Sequence, residues 1–374
     1  MIYIHIPFCK QKCSYCNFHF STSLNFKDEM LDAMKNEIFL RKDELQNKNI
    51  QSLYFGGGTP SVLSADEIKS LIDEVLKYFS FKNDIEITLE SNPDDLNNTF
   101  LKELSKSTVN RLSIGTQSFF DEDLKLMNRA HNASEAESSI KRAQDFGFEN
   151  LSIDLIYGSP TSNLEIWKEN LNKTIALEIP HISSYALTVE PKTALENWVA
   201  KGKVVNPKEE EQNREFYYMI DFLKDHGFEH YEVSNFAKPG FHSRHNSAYW
   251  KYQEYLGIGP SAHSYNGTDI RSWNIANNQQ YIKKLNSNIL AKETEVLSPQ
   301  DQFNEMIMIG LRTIWGVDLE SLNLKFSNNI LDHFNKEIQN KIEEGILTIE
   351  DNHLKIPEKH WFMADGIASD LFLV

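Results

Sequence analysis

Cysteine is scarce in this chain, positive charge is outnumbered, and no long apolar run occurs. Three cysteines among 374 residues cannot staple a fold of this size, and an odd number excludes a fully paired disulfide framework. Lys and Arg number 38 against 54 Asp and Glu, a formal net charge of -16. Such a surface repels nucleic acid and anionic lipid, so neither is expected as a main partner. No apolar stretch approaches the roughly 18 residues that cross a bilayer. The first residues read as a strand and not as a secretion signal, so a cytoplasmic location is expected. Hydrophobic residues make up 40% of the chain, enough for one large core with a small one beside it.

The few cysteines are not scattered. Cys9, Cys13 and Cys16 fall within CKQKCSYC, directly after the β-like run IYIHI. Crowding of this kind needs a local chemical cause, and two metal centres fit the spacing. One is an iron–sulfur cluster, usually held by four thiolates and here one short. The other is a Cys3His zinc site closed by His19.

Further β-rich runs begin at Ser52, Ile85, Arg111, Leu151 and His181, separated by helical patterns such as FKDEMLDAMKNEIFLRKDEL and ADEIKSLIDEVLKYF. The second of these has Ser64 as N-cap and Glu67 three residues on, a capping box. Six β-α units predict a parallel sheet covered by helices, closed or partly closed as a TIM-like barrel. Chemistry in such folds gathers at the C-terminal strand ends. The cysteines follow the first strand, GGGTP (56–60) the second, Glu90 the third, Gln117 the fourth, Asp154 the fifth, and Thr188 with Glu190 the sixth. Singly, GGGTP is a tight turn and each polar residue a satisfied cap. Together they make one polar rim suited to a small molecule with an amine, a carboxylate and a ribose, and a zinc knuckle has no reason to share it.

CxxxCxxC after the first strand with GGGTP after the second resembles the radical S-adenosylmethionine (SAM) superfamily. The resemblance implies a partial (β/α)6 barrel and a [4Fe-4S] cluster on Cys9, Cys13 and Cys16, its fourth iron open to the amine and carboxylate of SAM. YIHIPFC, ESNPDDL, RLSIGTQSF, MNRAH, SIDLIYGSP and HYEVSNFAKPGFHSRHNSAYW are similar to the oxygen-independent coproporphyrinogen III oxidase group, from near residue 2 to about residue 275. By motif position, Tyr3 and Tyr15 are expected beside the cluster and SAM. Gly57, Gly58 and Thr59 are expected to line SAM, and Glu90, Gln117, Arg129 and Asp154 to complete its site.

Two departures from the oxidases are visible: the cysteine motif begins at residue 9, and Phe18 stands where the resemblance places a fourth cysteine. The expectation is that the oxidase's N-terminal substrate-handling segment is missing. RHNSAYW instead fits the HNxxYW signature of the haem-chaperone (HemW) branch, with His245, Asn246, Tyr249 and Trp250. A histidine beside flat aromatic surface suits haem. His245 is the candidate axial ligand, with His242 and His263 nearby. The branch implies transfer of haem to an acceptor protein, such as a membrane respiratory enzyme. Oxidative decarboxylation of coproporphyrinogen III is the alternative, and homodimerisation is left open.

From Ser298 on, helices followed by ILTI, a DN turn, HLKI and a last helix give the order of a small α+β winged-helix-like domain, so domains of 1–290 and 291–374 are expected. Thirteen acidic against six basic residues in that segment argue against DNA binding. A lid or docking role is expected there.

Overall fold

The computed structural model describes residues 1–373, which divide into two compact units. The first takes Met1–Glu215 and Ser243–Glu295; the second takes Phe216–His242 and the chain from Val296 on.

In the first unit the strands are β1 (Ile2–Ile6), β2 (Asn49–Gly57), β3 (Ser80–Ser91), β4 (Arg111–Gln117), β5 (Asn150–Tyr157) and β6 (His181–Ala186). Each pairs in parallel with its neighbour in chain order. Helices α1 (Lys27–Leu40), α2 (Ala65–Leu76), α3 (Asn98–Leu104), α4 (Asp121–Leu126), α5 (Ala133–Asp145) and α6 (Leu164–Ala176) fill the crossovers. The expected β-α alternation is therefore present. On α2 the Ser64 hydroxyl accepts from Glu67 N, and the Glu67 carboxylate accepts from Ser64 N, completing the capping box.

The sheet is open. The outer edge of β1 is occupied by a seventh parallel strand, Leu256–Ile258, which the six-strand reading does not include. Strand alternation on β1 divides its work: Ile2, Ile4 and Ile6 are fully buried in the core, whereas Tyr3 and His5 face the other way.

In the second unit, helices Pro299–Leu311, Leu319–Lys325 and Asn328–Glu343 accompany a three-stranded antiparallel sheet of Val317–Asp318, His353–Lys355 and Thr348–Glu350, in that order. The hairpin turns on Asp351 and Asn352, both with positive φ (49 and 62), as a two-residue primed turn requires. Residues 216–242, kept with the barrel in the sequence reading, group with this unit. The reason is packing: the His230 ring stacks on Phe236 at 4.1 Å and meets Trp361 at 4.4 Å, and the Tyr217 hydroxyl donates to the Lys359 carbonyl at 2.7 Å.

Candidate cofactor site

All six strand ends open into one cavity of about 580 Å³. Its wall includes Cys9, Cys13 and Cys16, then Gly57–Thr59, Glu90, Gln117, Asp154 and the Thr188–Glu190 pair. The three cysteines are free thiols. Their loop is tied down at both ends: Cys9 N donates to the Ser21 carbonyl (3.0 Å), and Ser14 N to the Met127 carbonyl (3.0 Å).

GGGTP fixes that loop to the sheet. Gly58 N donates to the Ile6 carbonyl (2.8 Å) and Thr59 N to the Phe8 carbonyl (2.7 Å). A Cβ on Gly58 would stand 2.5 Å from that Phe8 oxygen, and one on Gly57, whose φ is +109, 2.7 Å from the His5 ring. These glycines are thus required first by the protein's own close packing, a reason beyond room for a ligand.

Donors reach two of the sulfurs. The Thr59 hydroxyl lies 3.4 Å from Cys9 Sγ, and Arg129 Nη1 lies 3.2 Å from Cys13 Sγ. Arg129 follows α4 in a turn and is clamped from its other side, Nη2 donating to Asn92 Oδ1 (2.7 Å) and the Gly115 carbonyl (2.8 Å). Burial pushes the Cys9 thiol up to about 11. A bound metal reverses that preference, because a coordinating thiol is deprotonated.

Glu90 accepts from the Tyr54 hydroxyl (2.8 Å) and Gly57 N (3.2 Å). Burial and then the neighbouring Asp154 raise its carboxyl to about 7. Asp154 accepts from Ser113 Oγ (3.2 Å), and burial raises it to about 6. Gln117 ends β4 with φ 65, where the register against β5 shifts, so its amide turns into the cavity. Tyr15 lines the same cavity.

The donor set fits a cluster with SAM beside it. Three thiols supply one ligand fewer than a four-iron cluster has irons. Two carboxyls can accept from an amine or hydroxyls, and Arg129 and Gln117 can donate to a carboxylate. His19, the fourth ligand of a zinc reading, is engaged elsewhere: its Nε2 lies 2.7 Å from Asn278 Oδ1.

Tyr3 and His245 do not join this cavity. Tyr3 lines a neighbouring one of about 760 Å³, with His5, Phe18, Tyr249, Tyr255 and His263. His245 lines neither cavity. It is 1% exposed, with Nδ1 2.9 Å from Ser52 Oγ, Nε2 3.1 Å from the Tyr249 hydroxyl, and its ring stacked on Tyr54 at 4.9 Å. Iron ligation there would break one of those bonds and draw the ring out of the core. The backbone amides of Arg244 and His245 both donate to Glu86, so this histidine anchors helix Arg244–Trp250 on the sheet. His242 is also occupied, 2.8 Å from the Glu229 carboxylate.

Sequence reasoning did not single out Asn92 and Ser113, which hold Arg129 and Asp154. Asn92 sits inside the quoted ESNPDD, and Ser113 is the β4 partner of Glu90, so strand pairing was the available signal.

The profile of the Radical SAM superfamily matches residues 3–173, and that of the HemN C-terminal domain matches residues 297–363. The chain is 33% identical to the heme chaperone HemW of Bacillus subtilis over 92% of both proteins. It is 33% identical to the heme chaperone HemW of Lactococcus lactis over 99% of this chain and 97% of that protein. This chain belongs to the HemW family. The fold agrees: the coproporphyrinogen III oxidase HemN of Escherichia coli superposes with a TM-score of 0.84 at 23% identity, over 99% of this chain and 89% of that one. The radical SAM architecture with a C-terminal domain is thus common to the HemW chain and HemN.

Proposed function

We propose that this protein is a haem chaperone: it holds a [4Fe-4S] cluster and SAM in the strand-end cavity, binds haem, and passes it to an acceptor protein. The observation that carries the cofactor half is the meeting of three free thiols and six strand ends in one cavity. The haem half rests on membership of the HemW family. Cys9, Cys13 and Cys16 would hold the cluster; Tyr15, Gly57, Gly58, Thr59, Glu90, Gln117, Arg129 and Asp154 would hold SAM. Tyr3 would stand at the border of that set, since the cavity it lines shares Gly57 and Glu90 with the strand-end one.

When bound and reduced, the cluster and SAM together supply a one-electron source and a radical precursor. The chain's own part is positional and electrostatic. Arg129 and Thr59 donate to sulfur and would help set the potential of a cluster held there. Glu90 and Asp154, held partly neutral by burial, become carboxylates when a cationic ligand arrives. Among the described residues no helix is long and apolar enough to cross a membrane. Delivery to a membrane respiratory enzyme would run through docking with that enzyme.

The test is anaerobic reconstitution with iron and sulfide, followed by SAM and either hemin or coproporphyrinogen III. Stable haem binding and transfer to a haem-free acceptor without porphyrinogen turnover is the expected result. Porphyrinogen decarboxylation without stable haem binding would overturn the proposal.

A further inference from the structure

The cavity beside the cofactor site has walls of a different kind. Phe18, Tyr3, Tyr249 and Tyr255 give it aromatic faces, and three imidazoles, His5, His19 and His263, reach it. At about 760 Å³ it lies within the roughly 300–1,000 Å³ usual for small-molecule sites. It shares Asn17, Phe18, Gly57 and Glu90 with the cofactor cavity, so the two are adjoining.

The three imidazoles are not equivalent. His5 uses both nitrogens, Nδ1 with the Tyr3 hydroxyl (3.2 Å) and Nε2 with the His19 carbonyl (3.0 Å). His19 is bound through Nε2 to Asn278. His263 is exposed and lines the cavity, and its ring lies tilted beside that of Trp273, 6.1 Å between centroids. Partial burial and then Arg271 lower its pKa, favouring the neutral form that ligates metals.

His263 begins a short strand, His263–Tyr265, paired with Ile270–Asn274, and the turn leading into it is tied to α1. Glu37 and Arg41 of α1, each 1% exposed, form a buried ion pair at 2.9 Å. Arg41 donates to the Gly257 carbonyl (2.7 Å) and Ser264 Oγ (2.9 Å); Glu37 accepts from Gly259 N (2.8 Å) and Asn274 Nδ2 (2.7 Å). A Cβ on Gly257 would stand 2.0 Å from the His263 carbonyl, and one on Gly259 2.4 Å from the His5 carbonyl. Gly257, Gly259 and the strand start at 263–264 are thereby held against α1 and β1. A buried ion pair is weak as a source of stability but effective as a positional lock.

We propose that this cavity is the haem seat, with His263 as the axial ligand to iron and Tyr249, Tyr255 and Phe18 against the macrocycle. The inference rests on the haem-chaperone reading and departs from the HNxxYW histidine as ligand. Within that signature, Tyr249 contributes cavity wall while His245 stays in the core.

Hemin is titrated anaerobically into the full chain and into the His263→Ala and His263→Met variants, with the Soret band and low-temperature electron paramagnetic resonance as readouts. The unaltered chain is expected to give an imidazole-ligated spectrum. His263→Ala is expected to bind at least tenfold more weakly and to lose that signature. His263→Met is expected to bind tightly again with a thioether signature, which a merely structural histidine would not produce. An unchanged spectrum and affinity in His263→Ala overturns the assignment and leaves the chaperone reading standing. Failure of the unaltered chain to bind hemin overturns both.

Discussion

The two adjoining cavities are built by different means. In the strand-end cavity most functional groups arrive on or just after successive strands, and the wall is ionic: thiols, two half-buried carboxyls and a clamped guanidinium. In its neighbour the wall is mainly aromatic and imidazole, with Glu90 shared at the border, and much of it comes from residues 249–276, after the chain has returned to lay Leu256–Ile258 along β1. The first arrangement suits a polar, charged cofactor whose groups must be matched one by one. The second suits a flat apolar body with a metal at its centre. Perturbing one cavity should therefore leave the ligand of the other in place.

The largest effect is expected at the thiols. Replacing Cys9, Cys13 or Cys16 with Ala should abolish cluster assembly, measured as iron and acid-labile sulfide per chain after anaerobic reconstitution. Full cluster content in any of the three would remove the premise.

The lock on the neighbouring cavity comes next. Arg41→Met leaves Glu37 a buried carboxylate without its counter-charge, though still hydrogen-bonded to Gly259 and Asn274, and should cost about 3 kcal/mol in urea unfolding. At temperatures where the variant stays folded, haem affinity should fall while cluster content holds. Gly58→Ala sharpens the contrast from the other side. Its Cβ meets the Phe8 carbonyl, so about 2–3 kcal/mol of stability and most cluster incorporation should be lost. An Ala variant as stable as the parent would mean that the cysteine loop can shift freely.

The pH dependence of the ionic cavity follows from Glu90. Its folded pKa of about 7 lies above the ordinary 4.5, so its neutral form is the one that suits the cofactor-free fold. That contribution is fully present below pH 4.5 and is lost as pH rises through 7. Glu90→Gln should therefore stabilise the cofactor-free protein at pH 8 by about 1–2 kcal/mol, and not at pH 4, allowing for water in the cavity. In the parent, SAM should bind more tightly at pH 8 than at pH 6, because ionisation supplies its amine with a carboxylate. A flat affinity across that range would separate Glu90 from SAM. The smallest effect is at Ser64→Ala, which removes the α2 cap, costs about 1 kcal/mol and should touch neither ligand.

How much of each cavity was readable in the sequence follows from the same contrast. Cys9, Gly57, Glu90, Gln117 and Asp154 lie at the ends of strands whose order along the chain is their order in the sheet, so placing the strands placed the residues. Alternation on β1 puts Tyr3 on the same face as His5, where it lines the adjoining cavity that shares Gly57 and Glu90 with the thiol-lined one. The role of Gly58 was hidden because its constraint is a carbonyl on a different segment, that of Phe8. His245 has the motif and lies in the core, whereas His263, named beside it, lines a cavity without any motif of its own. Its setting depends on Glu37 and Arg41, more than 200 residues earlier, and on a three-residue strand too short to leave a periodic signal.

The most direct measurement is a parallel determination of cluster content and hemin binding in the unaltered chain, Cys9→Ala and His263→Ala. Cys9→Ala is expected to lack iron and sulfide yet bind hemin with the parental Soret spectrum, and His263→Ala to keep its cluster yet lose the imidazole-ligated haem. Loss of both ligands together in both variants, or of neither in either, would contradict two cavities with two separate occupants.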